Sequence, residues 1–118
     1  TVKDIKNFVV ETVISAGANA CPPYVVGVGL GGTFDTVGPL AKKSLLRELD
    51  SKNPKKICQK LEKEILADIN KTGLGPMALG GRTTALAVLI ETAPTHITSL
   101  PVAVNLQCHA LRKKSVVL

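Results

Sequence analysis

Between Pro22-Pro23 and Gly31-Gly32 runs Tyr24-Val25-Val26-Gly27-Val28-Gly29-Leu30, seven residues without a charged side chain. A strand that is apolar at every position has no face to offer water, so the run reads as a buried strand. The preceding segment, Gly17 to Pro23, holds Gly, Asn and two prolines; it cannot continue a helix and presents Cys21 on a loop. Gly31-Gly32-Thr33 ends the strand on its other side.

The flanking segments carry helical periods. Ile5, Phe8, Val9, Val13 and Ala16 recur at helical spacing, Thr1 and Asp4 make a capping-box-like start, and Gly17 stands where a C-terminal glycine would. Val37, Leu40, Ala41, Ser44, Leu45 and Leu49 form a second apolar face, broken by Asp50-Ser51-Lys52-Asn53. Asn53 as N-cap with Pro54 in the first turn predicts a third helix, with Ile57, Cys58, Leu61, Ile65 and Ile69 on its inner face and a stop at Gly73. Thr72 to Arg82 contains four glycines and a proline and reads as a loop.

Thr84 to Thr92 and Leu100 to Gln107 read as strands, the second with Val102, Val104 and Leu106 on one face and Ala103, Asn105 and Gln107 on the other. The order α-β-α-α-β-β predicts an α/β (mixed α+β) fold, a sheet of about three strands packed with about three helices. Residues 1–118 form one domain, because a chain of 118 residues has room for no second core and shows no linker or repeat.

Fifteen Lys and Arg against nine Asp and Glu give a net charge of +6, which attracts anions without selecting one. Two Phe, one Tyr and no Trp leave few rings for base stacking, so nucleic acid is not the expected partner. No apolar run approaches the roughly 18 residues that cross a bilayer, and no membrane association is expected. Three widely spaced cysteines, at 21, 58 and 108, are unlike a secreted disulfide framework, and the chain reads as a reduced, cytoplasmic protein.

Gly27-Val28-Gly29-Leu30-Gly31-Gly32 satisfies G-x-G-x-x-G after a strand and before a helix. A dinucleotide site also needs an acidic residue at the end of a second strand, and Glu48 and Asp50 instead close a helix. The glycines then serve close packing of the strand or exposure of its amides. Gly75 to Thr83 falls short of a P-loop, with glycine where lysine should stand and a proline removing an amide. Its glycine amides near Arg82 offer a weaker function, holding a small anion such as a carboxylate. Cys58 falls at a helical core position. Cys21 and Cys108 lie at a strand's start and a strand's end, where thiolates with His96 or His109 can bind metal, although no C-x-x-C or H-x-x-x-H pair supports this.

Several blocks, taken in order, resemble one family: Asn19-Ala20-Cys21-Pro22-Pro23, Gly27 to Thr33, Asn70 to Pro76, Gly80-Gly81-Arg82-Thr83-Thr84, Glu91 to His96, and Asn105-Leu106-Gln107-Cys108-His109-Ala110. It is the iron-sulfur hydro-lyases, the class I fumarases and the tartrate dehydratase alpha subunits. The resemblance implies a [4Fe-4S] cluster held by three cysteines, with one iron open as a Lewis acid for the trans elimination of water from a malate- or tartrate-like dicarboxylate.

Carried over by residue, Cys21 and Cys108 match two of the three ligands, and His96 matches a substrate-contacting histidine. Arg82, Gly80 and Gly81 are expected at the substrate's carboxylates. The family's first cluster cysteine and the acidic residue after it belong upstream of Thr1, so no catalytic base is identified. The chain accordingly resembles the C-terminal part of an alpha subunit that works with a beta subunit or second domain in an oligomer. It is expected to be inactive alone. The alternative expectation is a zinc-binding or assembly module of the same fold without the chemistry.

Overall fold

The computed structural model of the chain describes residues 2–96, 99–110 and 113–118. It contains helix α1 (Val2–Ala16), strand β1 (Tyr24–Leu30), helices α2 (Phe34–Ser44) and α3 (Lys56–Asn70), a 3-10 turn at Pro76–Ala78, and strands β2 (Ala85–Thr92) and β3 (Val102–Gln107). The expected class and element order are borne out. The sheet runs β2-β1-β3, with β1 parallel to β2 and antiparallel to β3.

β1 is the central strand and every one of its residues is buried. Its even positions, Tyr24, Val26, Val28 and Leu30, join Ile5, Val9 and Val13 of α1 and Cys58, Leu61, Ile65 and Ile69 of α3 in the main core. Its odd positions face α2. There Gly27 and Gly29 have no side chain for a reason of distance: a Cβ on Gly27 would lie 2.6 Å from the Ala41 carbonyl oxygen, and one on Gly29 would lie 2.6 Å from that of Val37. The helix rests on the strand's backbone. The G-x-G motif is thus a packing device, as its failure to continue into a dinucleotide site implied.

The chain between α2 and α3 crosses the outer edge of β2 and plugs it at Ile90. Ile90 turns its backbone groups outward; its N–H donates to Glu62 Oε2 (2.8 Å) and its carbonyl accepts from Asn53 Nδ2 (2.9 Å). Arg47 Nη1 donates to the same Glu62 oxygen at 2.8 Å, and Asn53 Nδ2 does so at 3.1 Å. Side chains here stand in for a fourth strand. At the other edge, Gly31 N–H reaches Pro101 O (2.9 Å), so alternation turns the backbone groups of Val102, Val104 and Leu106 away from β1. Among the described residues no strand pairs with them. The predicted facing of β3 holds, since those three side chains pack against the main core.

Three expectations need correction. Ile57 is 72% exposed and its place on the inner face of α3 is taken by buried Glu62, because the β2 edge requires a carboxylate there. Asn53 is not the N-cap, which is Lys55; the Asn53 side chain is drawn into the edge plug, while its Oδ1 accepts from Lys55 N–H (3.0 Å). Phe8 of α1 and Leu49 are exposed rather than inward. The predicted start at Thr1 lies outside the described residues; at the other end of α1, Gly17 has the positive φ (53°) expected of it.

Two stability measurements test this account. Gly29→Ala drives a methyl into helix backbone that cannot swing aside, and is expected to lower the unfolding free energy by about 1–3 kcal/mol, the range for overpacking. Glu62→Ala strands Arg47 and the Ile90 amide; with Arg47 still partly hydrated the loss is about 3 kcal/mol, whereas Glu62→Gln, which keeps an acceptor, loses less. Denaturant midpoints at an unchanged m-value read both. Equal stability of Glu62→Ala and the unaltered chain contradicts the plug.

Candidate functional site

Strand directions decide which candidate residues meet. Cys21 lies before β1, and Cys108 follows β3, whose Gln107 pairs with Val25; both cysteines therefore stand at the same end of the sheet. The glycine-rich loop precedes β2, which starts beside Tyr24, so Arg82 belongs to that end too. Met77 N–H donates to Pro22 O at 2.8 Å, tying this loop to the one that carries Cys21.

Residue His109 joins the two cysteine segments. Its backbone N–H and its ring Nδ1 both approach the Cys21 carbonyl oxygen, at 3.5 and 2.9 Å. Cys108 Sγ stands 3.8 Å from the same Nδ1 and accepts from Ala110 N–H at 3.4 Å. Cys21 and Cys108 are both partly exposed. Cys21 has φ 57°, an uncommon conformation for a residue with a Cβ. Tyr24, next in the chain after the prolines, has its phenol pushed up by burial first and by neighbouring Cys21 second.

The glycine loop turns several of its amides inward. Gly80 N–H donates to Leu74 O (2.7 Å), Gly81 N–H to Gly73 O (3.2 Å), and Gly75 N–H to Thr84 Oγ1 (3.0 Å). These amides close the loop on itself, so none is left to hold an anion. A Cβ on Gly75 would come within 2.5 Å of the Gly81 nitrogen, which is why the crossing needs glycine. Arg82 is the exposed cation beside it, and Met77 and Leu79 are exposed apolar neighbours on the same loop.

His96 is not brought to the cysteines. It follows β2 and stands beside Gly32, Thr33, Phe34 and Pro101 around a cavity at the far end of β1. The six residue steps of β1 separate the two ends by roughly 20 Å. Thr95 Oγ1 donates to Gly32 O (3.3 Å), fixing that loop against the start of α2. Among the described residues no group of three His, Cys, Asp or Glu is placed to hold a metal ion. Cys58 is in the core as expected, where burial pushes its thiol up, Glu62 and Glu91 add to this, and Lys55 and Arg47 oppose it.

The residue that sequence reasoning undervalued is His109. It was one of two histidines eligible for metal, and only its position after β3 hinted that it would face the Cys21 loop. Thiol alkylation separates the three cysteines: with iodoacetamide near pH 8 the native chain is expected to label at Cys21 and Cys108 and to spare Cys58. Labelling of Cys58 at the rate of the other two contradicts its assignment to the core.

Sequence comparison places the chain among known proteins. A sequence model described as fumarate hydratase (Fumerase) matches residues 1–117. The putative L(+)-tartrate dehydratase subunit alpha of Methanocaldococcus jannaschii is 51% identical over 112 residues, covering 95% of this chain and 39% of the relative. The L(+)-tartrate dehydratase subunit alpha of Escherichia coli K12 is 35% identical over 109 residues, covering 92% of this chain and 36% of the relative. The chain thus spans less than two-fifths of the length of these relatives. On the match across nearly its whole length, the chain belongs to the fumarate hydratase (Fumerase) family.

Proposed function

We propose that this chain is the cluster-binding part of a [4Fe-4S] hydro-lyase, which adds water to, or removes it from, a small dicarboxylic acid of the malate or tartrate type. The observation that carries the reading is the convergence of Cys21 and Cys108 on one end of the sheet, with His109 hydrogen-bonded between their segments. The names of the relatives, tartrate dehydratase alpha subunits, agree with it.

Two thiols, one of them receiving a backbone N–H, suit two corners of a cluster. A third ligand then comes from polypeptide outside this chain. When bound, such a cluster supplies an open iron that acts as a Lewis acid on the substrate's hydroxyl and carboxylate. Arg82, exposed at the same end, is assigned to a substrate carboxylate. Gly80 and Gly81 contribute by closing the loop that presents it, since their amides are already used. The substrate contact assigned to His96 rests on the sequence match at Glu91 to His96, not on nearness to the cysteines. The net charge of +6 favours a dianionic substrate.

In this reading residues 1–118 are one domain from the C-terminal part of an alpha subunit of a cytoplasmic, oligomeric enzyme. The partner is a beta subunit or second domain. Two features support an assembled form: the outer edge of β3, which no strand pairs among the described residues, and the exposed Met77 and Leu79 beside the cysteine end. No helix among the described residues is long and apolar enough to cross a membrane.

The test is iron and acid-labile sulfide analysis, with hydratase assays, on the complete enzyme prepared without oxygen. About four iron and four sulfide per alpha subunit are expected for one cubane, with both lost together with activity in Cys21→Ser and in Cys108→Ser. Zinc in place of iron, with no turnover of malate or tartrate, establishes the metal-binding or assembly module instead. Full activity in either serine variant sinks the ligand assignment.

A further inference from the structure

We propose that His109 is a positioning residue, a clasp that sets the separation of Cys21 and Cys108 before any cluster is bound. The inference rests on the reading of these two cysteines as a ligand pair and adds a third residue to it.

Cys21 is held from two sides. Pairing between β1 and β3 runs no further than Val25 with Gln107, so Cys21 projects four residues past the last ladder contact. Its left-handed backbone is unfavourable for a residue that carries a Cβ, so the conformation must be imposed from outside. Met77 N–H fixes the following proline carbonyl from the side of the glycine loop. On the Cys108 side both fixing contacts come from His109, and both fall on the Cys21 carbonyl oxygen.

A carbonyl accepts and never donates, so the proton of the ring must lie on Nδ1. The same Nδ1 is 3.8 Å from Cys108 Sγ. One ring nitrogen therefore stands between the sulfur of one cysteine and the backbone of the other. Joining two thiols through a single thiophilic atom is favoured in proportion to how fully their separation is preset, because presetting removes ordering cost from the binding step. The other candidates are weaker. The amides of Gly75, Gly80 and Gly81 are already bonded, and among the described residues no buried side-chain polar atom lacks a partner.

The test uses phenylarsine oxide, which bridges two thiols with release of one water, on the reduced 118-residue chain. Bridged cysteines are identified by proteolysis and mass spectrometry, and affinity is measured by titration. The unaltered chain is expected to bridge Cys21 to Cys108. His109→Ala and His109→Gln are expected to bind about three- to tenfold more weakly, the factor that one neutral hydrogen bond supplies. His109→Asn is expected to restore binding, because its amide N–H falls where Nδ1–H stands, whereas the Gln amide reaches the Nε2 position. The contrast between Asn and Gln is one that a general packing role would not produce, and both variants retain a polar side chain should Ala fail to fold.

Equal affinity in all variants, or retention by Gln and loss by Asn, overturns the clasp and leaves the two thiols as a ligand pair. Failure of the unaltered chain to bridge Cys21 to Cys108 overturns the ligand pair itself, and the clasp with it.

Discussion

The fold depends on the contact of one helix with one strand's backbone. α2 lies against β1 at Gly27 and Gly29, where the space for a single methyl does not exist. That approach seals one face of the central strand with few side chains and leaves the large apolar residues, Tyr24, Val26 and Val28, to build the main core on the other face with α1 and α3. It also fixes where the chain goes next. Having covered one face, the chain must pass the β2 edge to cover the second, and the crossing segment delivers Asn53 and Arg47 to that edge.

Period and punctuation made most of this legible. The bounds of β1 were readable because prolines and glycines bracket an unbroken apolar run, and α1 because Ile5, Val9 and Val13 repeat every four residues. The failures share a cause. Glu62 and Ile57 exchange places because a buried carboxylate is rare unless paired, and its partners, Arg47, Asn53 and the Ile90 amide, are 15, 9 and 28 residues away in sequence. Helical periodicity sees neighbours at three and four residues and cannot report a need created by a strand edge. Asn53 misleads for the same reason: its side chain is a good cap and also a good peptide mimic, and the unpaired carbonyl of Ile90 is the stronger claim when both groups are buried.

Glycine patterns divided along similar lines. G-x-G after a strand and the glycine cluster before Arg82 both look like anion-binding sequences, since such sites need backbone to approach closely. In this chain the backbone does approach closely, but what it approaches is protein: the carbonyls of Val37 and Ala41 for the first, and the loop's own carbonyls for the second. The cysteines were read correctly as to kind, Cys58 in the core and the other two at strand ends. Which strand end was open until the parallel and antiparallel pairings were known, and those pairings separate His96 from the cysteines.

The two edges of the sheet are treated differently, and the difference bears on assembly. At β2 a buried ion pair and an amide satisfy the outward groups of Ile90 and plug the edge at that residue. At β3, three residues without charge, Val102, Val104 and Leu106, present their backbone to whatever comes next, and natural proteins rarely leave such an edge uncovered. The last of these residues stands two positions before Cys108. A strand laid along that edge would therefore arrive beside the Cys108 sulfur, the His109 ring and the loop of Cys21.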